Sequence, residues 1–170
     1  MLGPAELDRT ELLLAIAEIR QLPYKYAYAQ DFRDSALLLS LWMETEEPAP
    51  HPILDIHHVR REHERWFSKG STVHFVGNHV VELDGPDRGH GSVYCMAQLD
   101  FGEEFVDQTI LYLDRYVRHE DTWLFERRDH KLWFGQARAA NPMHQEADGW
   151  PRTHTGRGVL PGELRVDPPR

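Results

Sequence analysis

The chain has 170 residues and a mass of 19.9 kDa, enough for one domain that buries a real core without disulfides or a structural metal. Hydrophobic residues make up 41% and charged residues 28%, which excludes a disordered chain; no run nears the roughly 20 apolar residues of a membrane span. Nineteen basic against 28 acidic residues give a net charge of −9, which argues against a nucleic-acid backbone as partner.

Apolar residues fall at helical spacing over 5–30, through Leu12, Leu13, Ile16, Ile19 and Leu22, then Tyr26 and Ala29. Pro23 lies inside this stripe, so a kink or break after Leu22 is expected. Asp34 is placed to cap a second helix through Ala36, Leu37, Leu38, Leu41 and Trp42. Pro48, Pro50 and Pro52 make the next stretch a loop. Helical period returns over 56–68 with Ile56, Val59, His63, Trp66 and Phe67, and Gly70 is a plausible stop.

From there the period is two. Strands are expected at about 72–83, 91–101, 105–118 and 122–136, joined at Asp84-Gly85, Gly102-Glu103-Glu104 and His119-Glu120-Asp121. Four long strands on short turns make a strongly curved antiparallel sheet, and the helices should bury their apolar side against one face of it. The fold class is therefore α+β. Residues 1–138 form this domain, while 139–170, rich in Pro, Gly, Arg and His, read as an arm that is partly disordered or wraps a neighbouring subunit.

The N-terminus has no basic region ahead of an apolar core, so no signal peptide is expected. The single Cys95 excludes an internal disulfide, a four-cysteine zinc site and a CxxC redox pair. A cytoplasmic protein is expected, either a small cofactor-free enzyme or a small-molecule binding domain.

Helices followed by a curved sheet can enclose a pocket, and three segments of the chain carry a family resemblance. The segment YKYAYAQDFRDSALLLSLW (24–42) resembles the N-terminal signature of SnoaL-like proteins, whose fold is the cone of the nuclear transport factor two-like superfamily. VHFVGNHVVELDG (73–85) is similar to their first long strand, and YLDRYVRHEDTWLFERRD (112–129) to their last hairpin. The likeness runs in order from Leu13 to Phe134. It implies the cone fold but leaves the reaction open, because the superfamily holds dehydratases, isomerases, cyclases, a dehydrochlorinase and non-enzymes.

Scytalone dehydratase and lindane dehydrochlorinase, within that superfamily, pair an Asp near the end of the first helix with a His on a strand. Bile acid 7α-dehydratase adds a Tyr five residues before the Asp. The resemblance carries these roles to Asp31, His74 and Tyr26. An imidazole is a suitable base for a proton next to a carbonyl or anti to a leaving group. A carboxylate on one ring nitrogen fixes the tautomer, leaves the other nitrogen as acceptor and stabilises the imidazolium. Tyr26, about 140° around an ideal helix from Asp31, would donate to a leaving group or an enolate. The mechanism asks for no cofactor and no metal.

Plainer readings exist for each residue. Asp31 could cap or end a helix, a task for which Asp34 competes, and Tyr26 could simply pack. Asn78 shares the His74 face and could bind substrate or serve as a ladder-edge amide. Arg118 could hold a substrate oxygen or pair with Asp114 or Glu120. Tyr94 and Tyr112 belong to an aromatic set suited either to the core or to an apolar pocket. His57, His58 and His63 lack the i, i+4 spacing of a zinc helix and read as a solvated polar face. Cys95 reads as core.

The expected function is a cofactor-independent lyase, or an isomerase or cyclase, acting on an apolar cyclic small molecule of polyketide, terpenoid or steroid type. His74 would be the base and Asp31 its partner. The competing class is a non-catalytic binding protein or a structural subunit, as in the small subunits of ring-hydroxylating dioxygenases. A homo-oligomer, dimer or trimer, is expected because the sheet's outer face needs cover.

Overall fold

Asp8 opens the first helix with a capping box: its carboxylate accepts from the backbone N–H of Thr10 and Glu11, while the Glu11 side chain accepts from the Asp8 N–H. The structure is a computed structural model and describes residues 8–164. Helix α1 runs Arg9–Phe32, unbroken through Pro23. The expected break is absent, so Tyr26 and Asp31 sit on one continuous helix. Its buried stripe is Ala15, Ile19, Leu22, Tyr26 and Ala29, whereas Leu12, Leu13 and Leu14 in the first turns stay exposed.

Arg33 ends α1 in the left-handed conformation with φ 57°. Asp34 then caps α2 (Ser35–Ser40) by accepting from the Leu37 N–H at 2.9 Å. With Asp34 committed to the cap, Asp31 is free for another partner. Asp55 caps α3 (Ile56–Ser68) through the His58 N–H at 2.9 Å. Gly70 follows because a Cβ there would lie 2.0 Å from the Asp100 carbonyl oxygen.

The sheet is a meander in sequence order, β1 (Thr72–Leu83), β2 (Arg88–Asp100), β3 (Phe105–His119) and β4 (Thr122–Arg138), all antiparallel. The helices bury Ile19, Leu22, Leu38, Trp42, Val59, Tyr116 and Phe125 between themselves and the concave face. A smaller cluster of Val93, Cys95, Ala97, Ile110 and Tyr112 continues along the sheet. The convex face exposes Phe75, Tyr94, Met96, Trp133 and Phe134. Among the described residues, no helix is long and apolar enough to cross a membrane.

Two irregularities decide which side chains face inward. In β1 the pairing skips from Val76 to His79, so the inward parity moves from even residues to odd ones. His79 is thereby buried and Asn78 exposed. In β4 the pairing shifts between Phe125 and Arg127, which turns Arg128 inward. Arg128 and Asp114 then form a fully buried bidentate pair, with both bonds at 2.7 Å.

The Tyr116 hydroxyl donates to Asp114 at 3.0 Å, and His79 Nε2 meets the same hydroxyl oxygen at 3.0 Å. Since the tyrosine proton is spent on Asp114, His79 Nε2 is the donor, and its Nδ1 is buried without a partner. Burial therefore pushes His79 down to about 4, with Arg20 and Arg128 adding to the effect and Asp114 opposing it. The unfolded chain takes up this proton near pH 6.5 and the folded protein only near 4, so stability is full above the window and falls as pH drops through it. Stability should fall by roughly 3 kcal/mol across that interval from this one group, as read by thermal melts. His79→Gln keeps a donor for Tyr116 and should flatten that limb; an unchanged acid limb would assign the loss elsewhere.

Residues 139–164 fold back on their own chain through the turns Pro142–His144 and Pro161–Glu163. Asn141 and His144 both bond the Asp100 carboxylate, at 2.8 and 3.0 Å, and Met143 is buried. The last part of the expected arm, 165–170, lies outside the described residues.

Candidate active site

Asp31, near the end of α1, reaches across to the start of β1. Its Oδ2 accepts from the His74 backbone N–H at 2.8 Å, and its Oδ1 accepts from the Thr72 hydroxyl at 2.9 Å. The same Oδ1 lies 2.6 Å from His74 Nδ1, with both side chains 10% exposed. Three bonds lock the carboxylate, and the ring bond fixes the His74 tautomer: Nδ1 carries the proton and Nε2 is left as an acceptor. His74 forms part of the wall of a cavity of about 260 Å³ between α1, α3 and the concave face of the sheet.

Tyr26, Tyr112 and Ile110 line the same cavity, with Trp66 and Phe101 toward its edge. Gln30 Nε2 donates to the Tyr26 hydroxyl oxygen at 3.1 Å, which leaves the hydroxyl proton for a bound molecule. Burial raises the Tyr26 pKa, against the opposing charge of Arg128, so the group is a protonated donor at neutral pH. The Arg128 guanidinium stacks 4.5 Å from the Tyr26 ring centre and 4.0 Å from that of Tyr112. One of its terminal nitrogens is buried without a partner. A fixed cation thus stands directly behind the two cavity tyrosines.

His130 is a second imidazole in the cavity wall, exposed at its mouth and 5.2 Å from the Tyr112 ring centre. Partial desolvation, then the Arg128 and His74 charges, hold its pKa below the ordinary histidine value.

Of the residues singled out in the sequence, the structure brings together Tyr26, Asp31, His74 and Tyr112. It separates three others from them. Asn78 is carried outward by the β1 bulge. Tyr94 lies on the convex face, 41% exposed and edge-on to Trp133 at 4.8 Å. Arg118 bonds Asp121 at 3.0 Å, a partner not among those anticipated, and lies outside the cavity wall.

The α3 histidines do not share one solvated face: His63 is buried, bonding the Val59 carbonyl, and His57 bonds the Thr45 carbonyl at 2.8 Å. Among the described residues, no group of three or more His, Cys, Asp or Glu side chains is placed to hold a metal ion. Buried Cys95 is pushed up to about 11 by desolvation, as befits a core thiol.

Sequence reading missed Arg128 and His130. The only signal was the inward parity of β3, which sets Asp114 and Tyr112 opposite them in the ladder.

Three helices on an unclosed, curved antiparallel sheet, with a cavity between them walled in part by a histidine that an aspartate holds from behind, define an α+β cone of the nuclear transport factor two-like kind. Within that class the chain belongs to the SnoaL-like domain family, which it matches over residues 11–129. Hexachlorocyclohexane dehydrochlorinase LinA-type3 of Novosphingobium barchaimii LL02 has a similar fold, with a TM-score of 0.69 at 16% identity, covering 78% of this chain and 95% of that one. A scytalone dehydratase-like protein of Novosphingobium aromaticivorans superposes with a TM-score of 0.65 at 18% identity, covering 81% and 99%. A dehydratase-like member of the same superfamily from Streptomyces avermitilis gives 0.61 at 14%, covering 72% and 99%. No curated protein sequence matches the chain.

Proposed function

We propose that this protein is a cofactor-independent lyase that removes a proton from, and expels a leaving group out of, an apolar ring-bearing small molecule. The observation that carries the reading is the 2.6 Å bond between Asp31 Oδ1 and His74 Nδ1 beside the cavity. A core histidine would need no carboxylate held by two further hydrogen bonds. In this reading His74 Nε2 takes the substrate proton and Asp31 stabilises the imidazolium. Tyr26 gives its hydroxyl hydrogen bond to the departing oxygen, or to the enolate when the outcome is isomerisation or ring closure. Arg128, behind the ring, favours negative charge developing on that oxygen.

The reading agrees with the dehydrochlorinase and dehydratase-like proteins that share the fold. Its direct test is a panel of cyclic β-hydroxy ketones incubated with wild-type protein and with His74→Ala, with loss of water read by mass. Elimination by the wild type alone supports the reading. Equal loss in both samples, above a protein-free control, places the base elsewhere; none in either turns the reading toward a binding module or subunit.

The proposal includes a homo-oligomer built on the convex face. Exposed Phe75, Met96 and Phe134 share one cross-strand row, flanked by Tyr94 and Trp133, a contiguous apolar surface of the kind that marks interaction sites. Light scattering at micromolar protein should give a multiple of 19.9 kDa, and the monomer mass would exclude this assembly.

A further inference from the structure

The cavity is an exception to the charge of the molecule. The chain carries 28 acidic residues and a net charge of −9, yet no Asp or Glu belongs to the cavity wall, which holds Lys69, His74 and His130. Asp31 touches this space only through His74 and Thr72, its charge already committed to both.

Lys69 is the C-cap residue of α3, one position before the glycine that turns the chain into β1. Its ammonium lies 5.3 Å from the centre of the Phe101 ring, at the end of the cavity where Thr72 and Leu99 face each other. Among the described residues it has no ion-pair partner, whereas Lys131 is held by Asp129 at 2.8 Å. The Gln108 amide, also in the wall, has no hydrogen-bond partner among the described residues either. A protein this acidic repels anions at long range, so a cation without an ion-pair partner at the mouth of an acid-free cavity is a local reversal that suits an anionic ligand.

Resting on the assignment of His74 as the base, we infer that the substrate is a ring-bearing carboxylic acid, its carboxylate bound by Lys69 at the mouth and its ring carried between Trp66 and Phe101 toward His74. One ammonium matches the single charge of a carboxylate. A phosphate monoester carries closer to two charges and would leave one uncompensated. Lys69 is then a specificity residue: it positions the acid end of the substrate and takes no part in proton transfer.

The test is a binding titration read by tryptophan fluorescence at low salt and about pH 8, where unperturbed imidazoles are neutral. The probes are 2-naphthoate, its methyl ester and 2-naphthyl phosphate, applied to wild type, Lys69→Met and His74→Ala. The wild type should bind the acid about fivefold more tightly than the ester, the scale of one partly exposed charge pair, and added salt should erode that preference. Lys69→Met should bind the ester as before and lose the preference, which also reports that it is folded.

His74→Ala should keep the preference whether or not it retains turnover, so the base assignment and the carboxylate assignment fail separately. Equal binding of acid and ester by the wild type, a preference that survives Lys69→Met, or no binding of either probe would overturn the proposal. Tighter binding of the phosphate than of the acid would overturn the carboxylate assignment.

Discussion

His74→Ala should lower turnover on a verified substrate by about 10²–10⁴-fold, with circular dichroism and the melting temperature near wild type. The side chain closes the cavity wall and makes one strong bond, to Asp31, so its truncation removes chemistry more than packing. Asp31→Asn keeps the volume but loses the negative charge, and with it the fixed tautomer and the stabilised imidazolium. It too should cost orders of magnitude in rate. The double variant should be little worse than the poorer single one, because residues acting as a unit are not additive. Tyr26→Phe should cost less, about tenfold, as it removes one donor while the ring stays packed against Trp42, Phe125 and Tyr112. Near wild-type turnover in His74→Ala would show that the base lies elsewhere, and His130 would be the next side chain to replace.

The dyad was legible because the family resemblance carries its roles to Asp31 and His74, and both residues sit where local rules hold. Sequence leaves the cap of the second helix open between Asp31 and Asp34, and the structure gives it to Asp34. His74 lies in β1 ahead of the bulge, where alternation counted from Thr72 still gives the true face. The misses fall beyond irregularities in the ladder. Past the skip between Val76 and His79, strict alternation assigns Asn78 inward, and the structure puts His79 there instead.

In β4 the same count from Trp123 and Phe125 points Arg127 and Asp129 inward, which hides Arg128 and His130. A β-bulge adds one residue and reverses every side chain after it, and nothing in NHV or FERRD marks where that residue is inserted. Tyr94 is a different case. The alternation that buries Val93, Cys95 and Ala97 already assigns it outward, so the information was present and the aromatic character of the residue outweighed it. Pro23 shows the opposite limit: a local rule predicts a break, and packing of Leu22, Pro23 and Tyr26 into the core holds the helix together instead.

The largest loss of stability should come from a residue with no role at the reacting atoms. Asp114 and Arg128 are both fully buried and joined by two 2.7 Å bonds, with Tyr116 donating to the same carboxylate. Burial works against the charged guanidinium, but the charge and hydrogen bonds of Asp114 outweigh it and hold the Arg128 pKa above its ordinary value. Asp114→Ala strands that cation among Tyr26, Tyr112 and Phe125, whose rings give it partial compensation and no counter-charge. Breaking one side of such a pair costs about 3–5 kcal/mol, a fall of about 6–20 °C in melting temperature for a chain of this size.

Replacing both partners, Asp114→Leu with Arg128→Met, removes the stranded charge and should recover most of the loss, since a well-packed apolar pair often equals a buried ionic one. Turnover should not recover with it. Arg128 is the cation behind the Tyr26 ring, and without it the hydroxyl becomes a weaker donor to a developing oxyanion. If the double variant melts as low as Asp114→Ala alone, the contribution of the pair lies in the hydrogen-bonded chain through Tyr116 and His79 rather than in charge compensation. If the double variant is both stable and fully active, the guanidinium is structural and the tyrosine acts without it.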